Sequence, residues 1–249
     1  MKKYLFIIII LLIGLPVSVT NAQIEKGNII KLNLSPLAFN HFSVQYERVI
    51  NPKQSFGLGF SFAPNVGLPF KQTLLDAFDD NAEAVEAIES TKFTKYTLTP
   101  EYRFYFGAKG APVGFYLATF IRYTNMSTSQ IYKFTTSKGV VHRPNLTTTF
   151  NGVGGGAMIG MQWALGKSFT LDWWIVGPFF GYMKGSSGGT DKMDDMDQQD
   201  KDDLKKDIEE FPIPLWKKDA TIGNGTIDVK LKGPFYGARA MGICFGYRF

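Results

Sequence analysis

The closing stretch Met241-Gly242-Ile243-Cys244-Phe245-Gly246-Tyr247-Arg248-Phe249 alternates without a break. Side-chain direction reverses at each residue of an extended strand, so Met241, Ile243, Phe245, Tyr247 and Phe249 share one face. Gly242, Cys244, Gly246 and Arg248 share the other. In lipid every backbone N–H and C=O must be paired within the protein, so a non-helical span has to be one strand of a closed barrel, apolar outside and small or polar inside. The stretch is predicted to be such a strand.

The same alternation recurs upstream. Eight strands are predicted, over about 27–35, 41–50, 54–64, 93–106, 113–124, 148–164, 169–183 and 234–249. In the third, Phe56, Leu58, Phe60 and Phe62 alternate with Ser55, Gly57, Gly59 and Ser61. In the fourth, Leu98, Tyr102, Phe104 and Phe106 oppose Thr97, Thr99, Glu101, Arg103 and Tyr105. In the sixth, Val153, Ala157, Ile159, Met161 and Trp163 oppose a face rich in glycine. A soluble sandwich would turn a polar face to water, whereas these polar faces are small and suit the crowded interior of a narrow barrel. The expected fold is all-β, an eight-stranded antiparallel transmembrane β-barrel. Its composition agrees, with 26 glycines and 15% aromatic residues in 249.

Connection lengths set the expected orientation. Asn51-Pro52-Lys53, Gly107 to Ala111 and Gly166-Lys167-Ser168 are short, whereas 65–92, 125–147 and 184–233 are long. Short periplasmic turns alternating with long extracellular loops put both termini on the periplasmic side. The connection from Ser35 to Asn40 is short among the outer ones and is expected to form a low rim. At the other end of the sequence, Lys2 and Lys3, the apolar run Leu5 to Leu15 and the small residues Thr20, Asn21 and Ala22 read as a signal peptide over 1–22, leaving a barrel domain over 23–249. The apolar run is shorter than the roughly 20 residues that a spanning helix needs. The single cysteine, Cys244, excludes an intramolecular disulfide. Net charge is +5, or +3 without Lys2 and Lys3, too little to suggest a nucleic-acid partner.

Taking the apolar faces as outward places Glu47, Glu101, Arg103, Arg122, Asp172 and Arg248 inside, where charges of both signs are expected to pair. Arg239 falls on the outward face near the extracellular end, where it could meet a lipopolysaccharide phosphate or snorkel. A catalytic alternative rests on His41, Ser43 and Glu47, a hydroxyl beside an imidazole steered by a carboxylate. Glu47 lies about 20 Å from His41 at roughly 3.3 Å per strand residue, too far for a hydrogen bond. No catalytic residue, metal ligand or cofactor is therefore expected. His142, beside Arg143, has no evident partner.

Two outer loops carry patterns of their own. Leu74, Phe78, Ala82, Val85 and Ile88 form one helical stripe over 72–90. Residues 191–210 hold ten carboxylates with intervening lysines, without the spacing of a calcium loop, and are expected to be a solvated or helical acidic loop.

Lys31-Leu32-Asn33-Leu34-Ser35-Pro36, followed by Phe42-Ser43-Val44-Gln45-Tyr46-Glu47-Arg48 and a short turn, resembles the start of small uncharacterised outer-membrane barrels of Bacteroidota, within the OmpA/OmpW-like barrel group. The terminal Phe245, Tyr247 and Phe249 resemble the carboxy-terminal signal read by bacterial barrel-assembly machinery. These resemblances imply a bacterial outer-membrane location, with membrane lipid, lipopolysaccharide and the assembly machinery as partners, and supply no catalytic residues. The expected function is a non-enzymatic barrel acting through its extracellular loops, whose ligand is unknown. A small pore or conduit and a lipid A acyl hydrolase are the alternatives.

Overall fold

The computed structural model describes residues 27–68, 71–80, 82–210 and 215–249. The expected signal peptide over 1–22 lies outside them. The chain is all-β in its main body, with strands β1 (Asn28–Asn33), β2 (Phe42–Asn51), β3 (Gln54–Gly67), β4 (Lys92–Phe106), β5 (Gly114–Ile131), β6 (Phe134–Thr135), β7 (Val141–His142), β8 (Asn145–Leu165), β9 (Phe169–Thr190), β10 (Lys217–Ile222) and β11 (Thr226–Arg248). Strands pair antiparallel in the order β1-β2-β3-β4-β5-β8-β9-β11, and β11 returns to β1, from Ile29 opposite Arg248 to Asn33 opposite Cys244. The sheet closes into a ring of eight strands. β6 and β7 form a separate small hairpin, and β10 pairs with the far part of β11.

Polarity across the ring is inverted relative to a water-soluble core. Every ring strand exposes a large apolar residue, as shown by Ile30, Tyr46, Phe60, Phe104, Ile121, Val153, Phe180 and Phe245. The opposite faces are buried and polar or small, as in Ser55, Gly57, Gly59 and Ser61 of β3 and Thr97, Thr99, Glu101, Arg103 and Tyr105 of β4. The three short turns lie at one end together with the paired Asn28 and Phe249, where the Phe249 amide donates to the Asn28 carbonyl at 2.9 Å. This is termed the turn end, and the opposite one the loop end.

At the loop end the strands run further than their apolar alternation predicts. β5 continues to Ile131, β8 starts at Asn145, β9 runs to Thr190 and β11 starts at Thr226. The added lengths carry polar cross-strand pairs. Asn125 Nδ2 donates to Asn151 Oδ1 at 2.8 Å, the Ser129 and Thr147 hydroxyls meet at 3.2 Å, and Thr148 donates to Ser187 at 2.8 Å. Opposed hydroxyl and amide pairs stabilise extended chain without an apolar face. Apolar periodicity therefore marks where the hydrophobic girdle ends, not where the strands end.

The strands are unequal in a second way. β1 has 6 residues and β11 has 23. Beyond Asn33 the chain turns through a 3-10 helix, Ser35–Phe39, and enters β2, giving the low rim expected there. The Leu34 amide still donates to the Ile243 carbonyl at 2.8 Å, and Ser35 Oγ donates to the Met241 carbonyl at 2.9 Å. From Ala240 back to Gly233, β11 has no strand on that side among the described residues, because β10 pairs only with Ile227 to Lys232. Pro234 lies in this stretch, where a missing N–H breaks no ladder.

The alternation changes phase within β9 and β11. In β11 the buried residues are Cys244 and Gly242, then Arg239; in β9 they are Asp172 and Trp174, then Gly177. Met241 takes a left-handed φ of 54° and is 78% exposed, and the β8–β9 register shifts between Ile159 and Gly160. One residue absorbed at this level sends everything beyond it to the other face.

Above the ring, the stripe expected over 72–90 is divided into α1 (Lys71–Ala77) and α2 (Ala82–Ser90). Asp79 and Asp80 fall at the break, as residues whose short polar side chains compete for backbone groups. The acidic segment becomes α3 (Gln198–Glu210). Asp197 caps it by accepting from the Asp200 amide at 3.0 Å, while Asp200 accepts from the Asp197 amide at 3.4 Å, a reciprocal capping box. Leu204 of α3 packs among Leu146, Met193, Met196, Ala220, Ile227 and Val229.

Close strand approach makes glycine obligatory at Gly181, where a Cβ would land on the Val153 carbonyl oxygen. Gly181→Ala is expected to cost about 1–3 kcal/mol in urea unfolding. Gly188→Ala, whose Cβ would find only Asp228 Oδ1 at 3.7 Å, is expected to stay within about 0.5 kcal/mol of wild type.

Candidate functional site

The interior of the ring is closed at mid-height by one polar network to which all eight ring strands contribute. Alternation alone puts Lys31 of β1, Gln45 and Glu47 of β2, Ser55 of β3, Glu101, Arg103 and Tyr105 of β4, Tyr116 of β5, Gln162 of β8 and Asp172 of β9 on inward faces, and the phase change adds Arg239 of β11. Arg103 is its centre. Its Nε donates to Glu101 Oε1 at 2.5 Å, one terminal nitrogen donates to Asp172 Oδ2 at 2.8 Å and Gln162 Oε1 at 3.1 Å, and the other donates to Gln45 Oε1 at 2.9 Å. Its guanidinium also lies 4.3 Å from the Tyr116 ring centre.

The remaining charges close around this centre. Lys31 Nζ pairs with Glu47 at 2.5 Å and with Asp172 at 2.7 Å, and donates to Gln162 Oε1 at 2.7 Å. Arg239 donates to the second Glu101 oxygen at 2.7 Å and stacks between Trp174 and Phe120, 4.3 and 4.8 Å from their ring centres. Tyr105 and Ser55 donate to Glu47, and Tyr116 and the Trp174 indole donate to Asp172. Lys31, Arg103 and Arg239 thus face Glu47, Glu101 and Asp172, and the network is formally neutral. Every one of these side chains is buried. Desolvated charges persist only when paired and hydrogen-bonded to this degree.

Of the interior residues expected from sequence, Glu47, Glu101, Arg103 and Asp172 are brought together, and Arg122 and Arg248 are not. Arg122 lies nearer the loop end, its guanidinium 5.6 Å from the Phe179 ring centre, with no acidic partner among the described residues. Arg248 lies at the turn end beside Phe249, below the reach of the carboxylates, and its buried Nε has no partner. Arg239, expected outside against lipopolysaccharide, is 6% exposed and points inward. The phase change at Met241 is the reason: counting alternation back from Phe249 fails for every residue beyond that bulge. Phe245, Tyr247 and Phe249 are exposed along the outer face of β11.

Sequence reasoning missed Lys31, Gln45, Gln162, Tyr105 and Tyr116 as members of the network. Lys31 had a clear signal, standing between the outward Ile30 and Leu32. His41 and Ser43 line a cavity above the network, while Glu47 is committed to Lys31, Tyr105 and Ser55, so the three do not form a triad.

His142 also departs from expectation. It is 5% exposed, stacked on Phe134 at 5.0 Å, and held between Asp191 and Asp195, each 3.2 Å from one ring nitrogen. The β6–β7 hairpin is thereby fastened to the chain leading into α3, and Lys138 adds a bond to the Asp195 carbonyl. Desolvation acts to lower the pKa of His142, but the hydrogen bonds that its protonated ring donates to Asp195 and Asp191 outweigh it and raise the pKa above its ordinary 6.5.

A family model described as a protein of unknown function (DUF3575) matches residues 6–207. The chain belongs to the DUF3575 family. Comparisons with curated proteins and with solved structures gave no match. The DUF3575 match covers Lys31, Glu47, Glu101, Arg103 and Asp172, and Arg239 lies past its end.

Arg103→Met in this DUF3575 protein removes the cation shared by Glu101 and Asp172 and is expected to cost about 3–5 kcal/mol, read by urea unfolding. Arg143→Met, which breaks an exposed pair with Glu86 at 3.3 Å, is expected to cost at most about 1 kcal/mol. The loop clamp has its own pH signature. Because folding raises the pKa of His142, the clamp stabilises fully below pH 6.5 and loses that contribution as pH rises through the folded value. The protection factors of residues 134–142, which are the intrinsic exchange rate at each pH divided by the observed rate, are expected to fall on alkalinisation across this range, and His142→Gln is expected to abolish that fall.

Proposed function

We propose that this protein is a non-enzymatic bacterial outer-membrane β-barrel, sealed across its interior by the Arg103 network, that acts at the cell surface through its loops. The observation that carries this reading is the inverted polarity of the closed ring: an apolar belt on all eight strands around a buried, charged interior. Water gives no reason to expose Phe180, Tyr236 and Ile121 together, whereas a hydrocarbon surround makes their exposure favourable and leaves the interior as the only place for charge. The polar extensions of β5, β8, β9 and β11 then stand clear of the lipid and carry α3 and the His142 clamp into the medium, beside α1 and α2 between β3 and β4. Both chain ends lie on the periplasmic side in this arrangement. Outer-membrane lipid and lipopolysaccharide surround the belt, and the assembly machinery reads Phe245, Tyr247 and Phe249. The resemblance of the first two strands to the OmpA/OmpW-like barrels of Bacteroidota supports the same reading.

A conduit for small or hydrophobic molecules is the second reading. It is favoured by the stretch Gly233 to Ala240, whose side away from β9 meets no strand among the described residues and lies beside an interior cavity.

The two readings separate in one set of measurements. After cell fractionation and heat-modifiable electrophoresis, the purified chain is placed in a planar bilayer. A heat-modifiable outer-membrane protein that gives no unitary current is expected. Discrete conductance steps from the wild-type chain would replace the sealed barrel with the conduit, and recovery in the soluble fraction would overturn both.

A further inference from the structure

Between the neutral network and the loop end lies a cavity of about 170 Å³, bounded by the low rim at Pro36 and His41 and by Ala238 and Ala240 of the unpaired β11 edge. Its polar lining consists of Arg122, Arg239, His41, Asn33 and the hydroxyls of Ser43, Ser61 and Thr99, and it contains no carboxylate. Glu101, just below it, is spent on Arg103 and Arg239. Arg122 has neither ion pair nor side-chain hydrogen bond among the described residues, and neither has Lys95, which lies just above it and close enough to repel both Arg122 and His41. His41 Nε2 is buried without a partner. Among the described residues the Ser43 and Ser61 hydroxyls, which line the cavity, have no hydrogen-bond partner either.

We propose that this cavity binds a phosphoryl oxyanion, with Arg122 as its principal ligand and His41, Ser43 and Ser61 as further hydrogen-bond partners. Three considerations converge on that class. A guanidinium taken out of water without a counter-charge is costly, and an anion seated beside it removes the cost. Two uncompensated cations, Arg122 and Lys95, above a neutral network call for about two negative charges, which a phosphate carries near pH 7 and a single carboxylate does not. Arginine and hydroxyl donors are the groups that hold phosphate oxygens. The cavity has room for a tetrahedral anion with some of its water, since a liquid water occupies roughly 30 Å³. The site rests on interior geometry alone and holds in either reading of the barrel.

The test uses the full chain folded in detergent micelles, titrated separately with inorganic phosphate and with dihexanoyl phosphatidic acid, while thermal unfolding and heat of binding are followed. Phosphate is expected to raise the unfolding temperature saturably. Arg122→Gln is expected to weaken binding by at least about tenfold and to raise the phosphate-free unfolding temperature, because it deletes a half-buried charge that has no acidic partner among the described residues. Lys95→Gln should weaken binding without touching the cavity wall, and serves if the Arg122 variant does not fold. Lys109→Gln, in the turn at the far end, should change nothing. Tighter binding of phosphatidic acid than of phosphate would identify a lipid headgroup as the source, and equal binding a free anion. Absence of any phosphate effect on the wild-type chain, or an effect undiminished by both Arg122→Gln and Lys95→Gln, overturns the proposal.

Discussion

The contact between Arg103 and Asp172, 2.8 Å across the interior from β4 to β9, is the constraint on which the rest of the ring depends. A closed sheet of eight strands has an interior only wide enough for its own side chains. Whatever is placed there must satisfy itself, since the outer face is apolar and offers no partner. Arg103 fits because a guanidinium is planar and presents five donors, enough to reach Glu101, Asp172, Gln45 and Gln162 at once. Lysine at this position would leave several of those acceptors empty. Glycine completes the accommodation: a Cβ on Gly57 would press on Glu101, and one on Gly160 on Tyr116. The small residues of the inward faces are therefore spaces reserved for the charged ones.

How far the sequence disclosed this follows from the length scale of each signal. Alternation has period two and is read locally, so the ring, the inward face of β4 and the inward placement of Glu47, Glu101, Arg103 and Asp172 were legible from single strands. Apart from Lys31, the failures come from information that a single strand does not contain. Arg239 was misplaced because one residue at Met241 shifts the phase, and nothing in Ala240-Met241-Gly242 announces a bulge. The far ends of β5 and β8 were read as loop because their pairs are Ser, Thr and Asn, whose fitness for a strand depends on what stands opposite. His142 seemed isolated because its partners, Asp191 and Asp195, are about fifty residues away in the chain and meet it only through folding. Lys31 is a different case. Its inward direction is readable from the outward Ile30 and Leu32, while the carboxylates it meets, Glu47 and Asp172, stand on other strands.

Charge is distributed along the ring axis in a way that single residues do not reveal. Lys31, Arg103 and Arg239 balance Glu47, Glu101 and Asp172 in the middle layer, with their hydrogen bonds filled by tyrosine, glutamine and serine. The layer above is cationic, with Arg122 and Lys95 unopposed among the described residues. A neutral layer next to an uncompensated one is an asymmetric arrangement, and the asymmetry points toward the loop end, where the rim is lowest. The same side of the ring has the shortest strand, β1, and the unpaired edge of β11. Opening, positive charge and unfilled donors thus coincide at one place.

The network also bears on register. A buried ion cluster adds little net stability relative to an apolar filling of equal volume, because desolvation offsets most of the attraction. Its effect lies in the alternatives it excludes. Slipping β1 by one residue against β2 or β11 would turn Lys31 outward into the apolar belt and bring Ile30 or Leu32 against Glu47 and Asp172. Slipping β9 would expose Asp172 and leave Arg103 with one carboxylate fewer. Each such slip strands a charge on both faces at once, whereas the glycine-rich and aromatic remainder of the strands would tolerate it at small cost. With a contribution from every ring strand, the cluster penalises a slip at each of the eight seams, and that is sufficient to make one closed arrangement the preferred one.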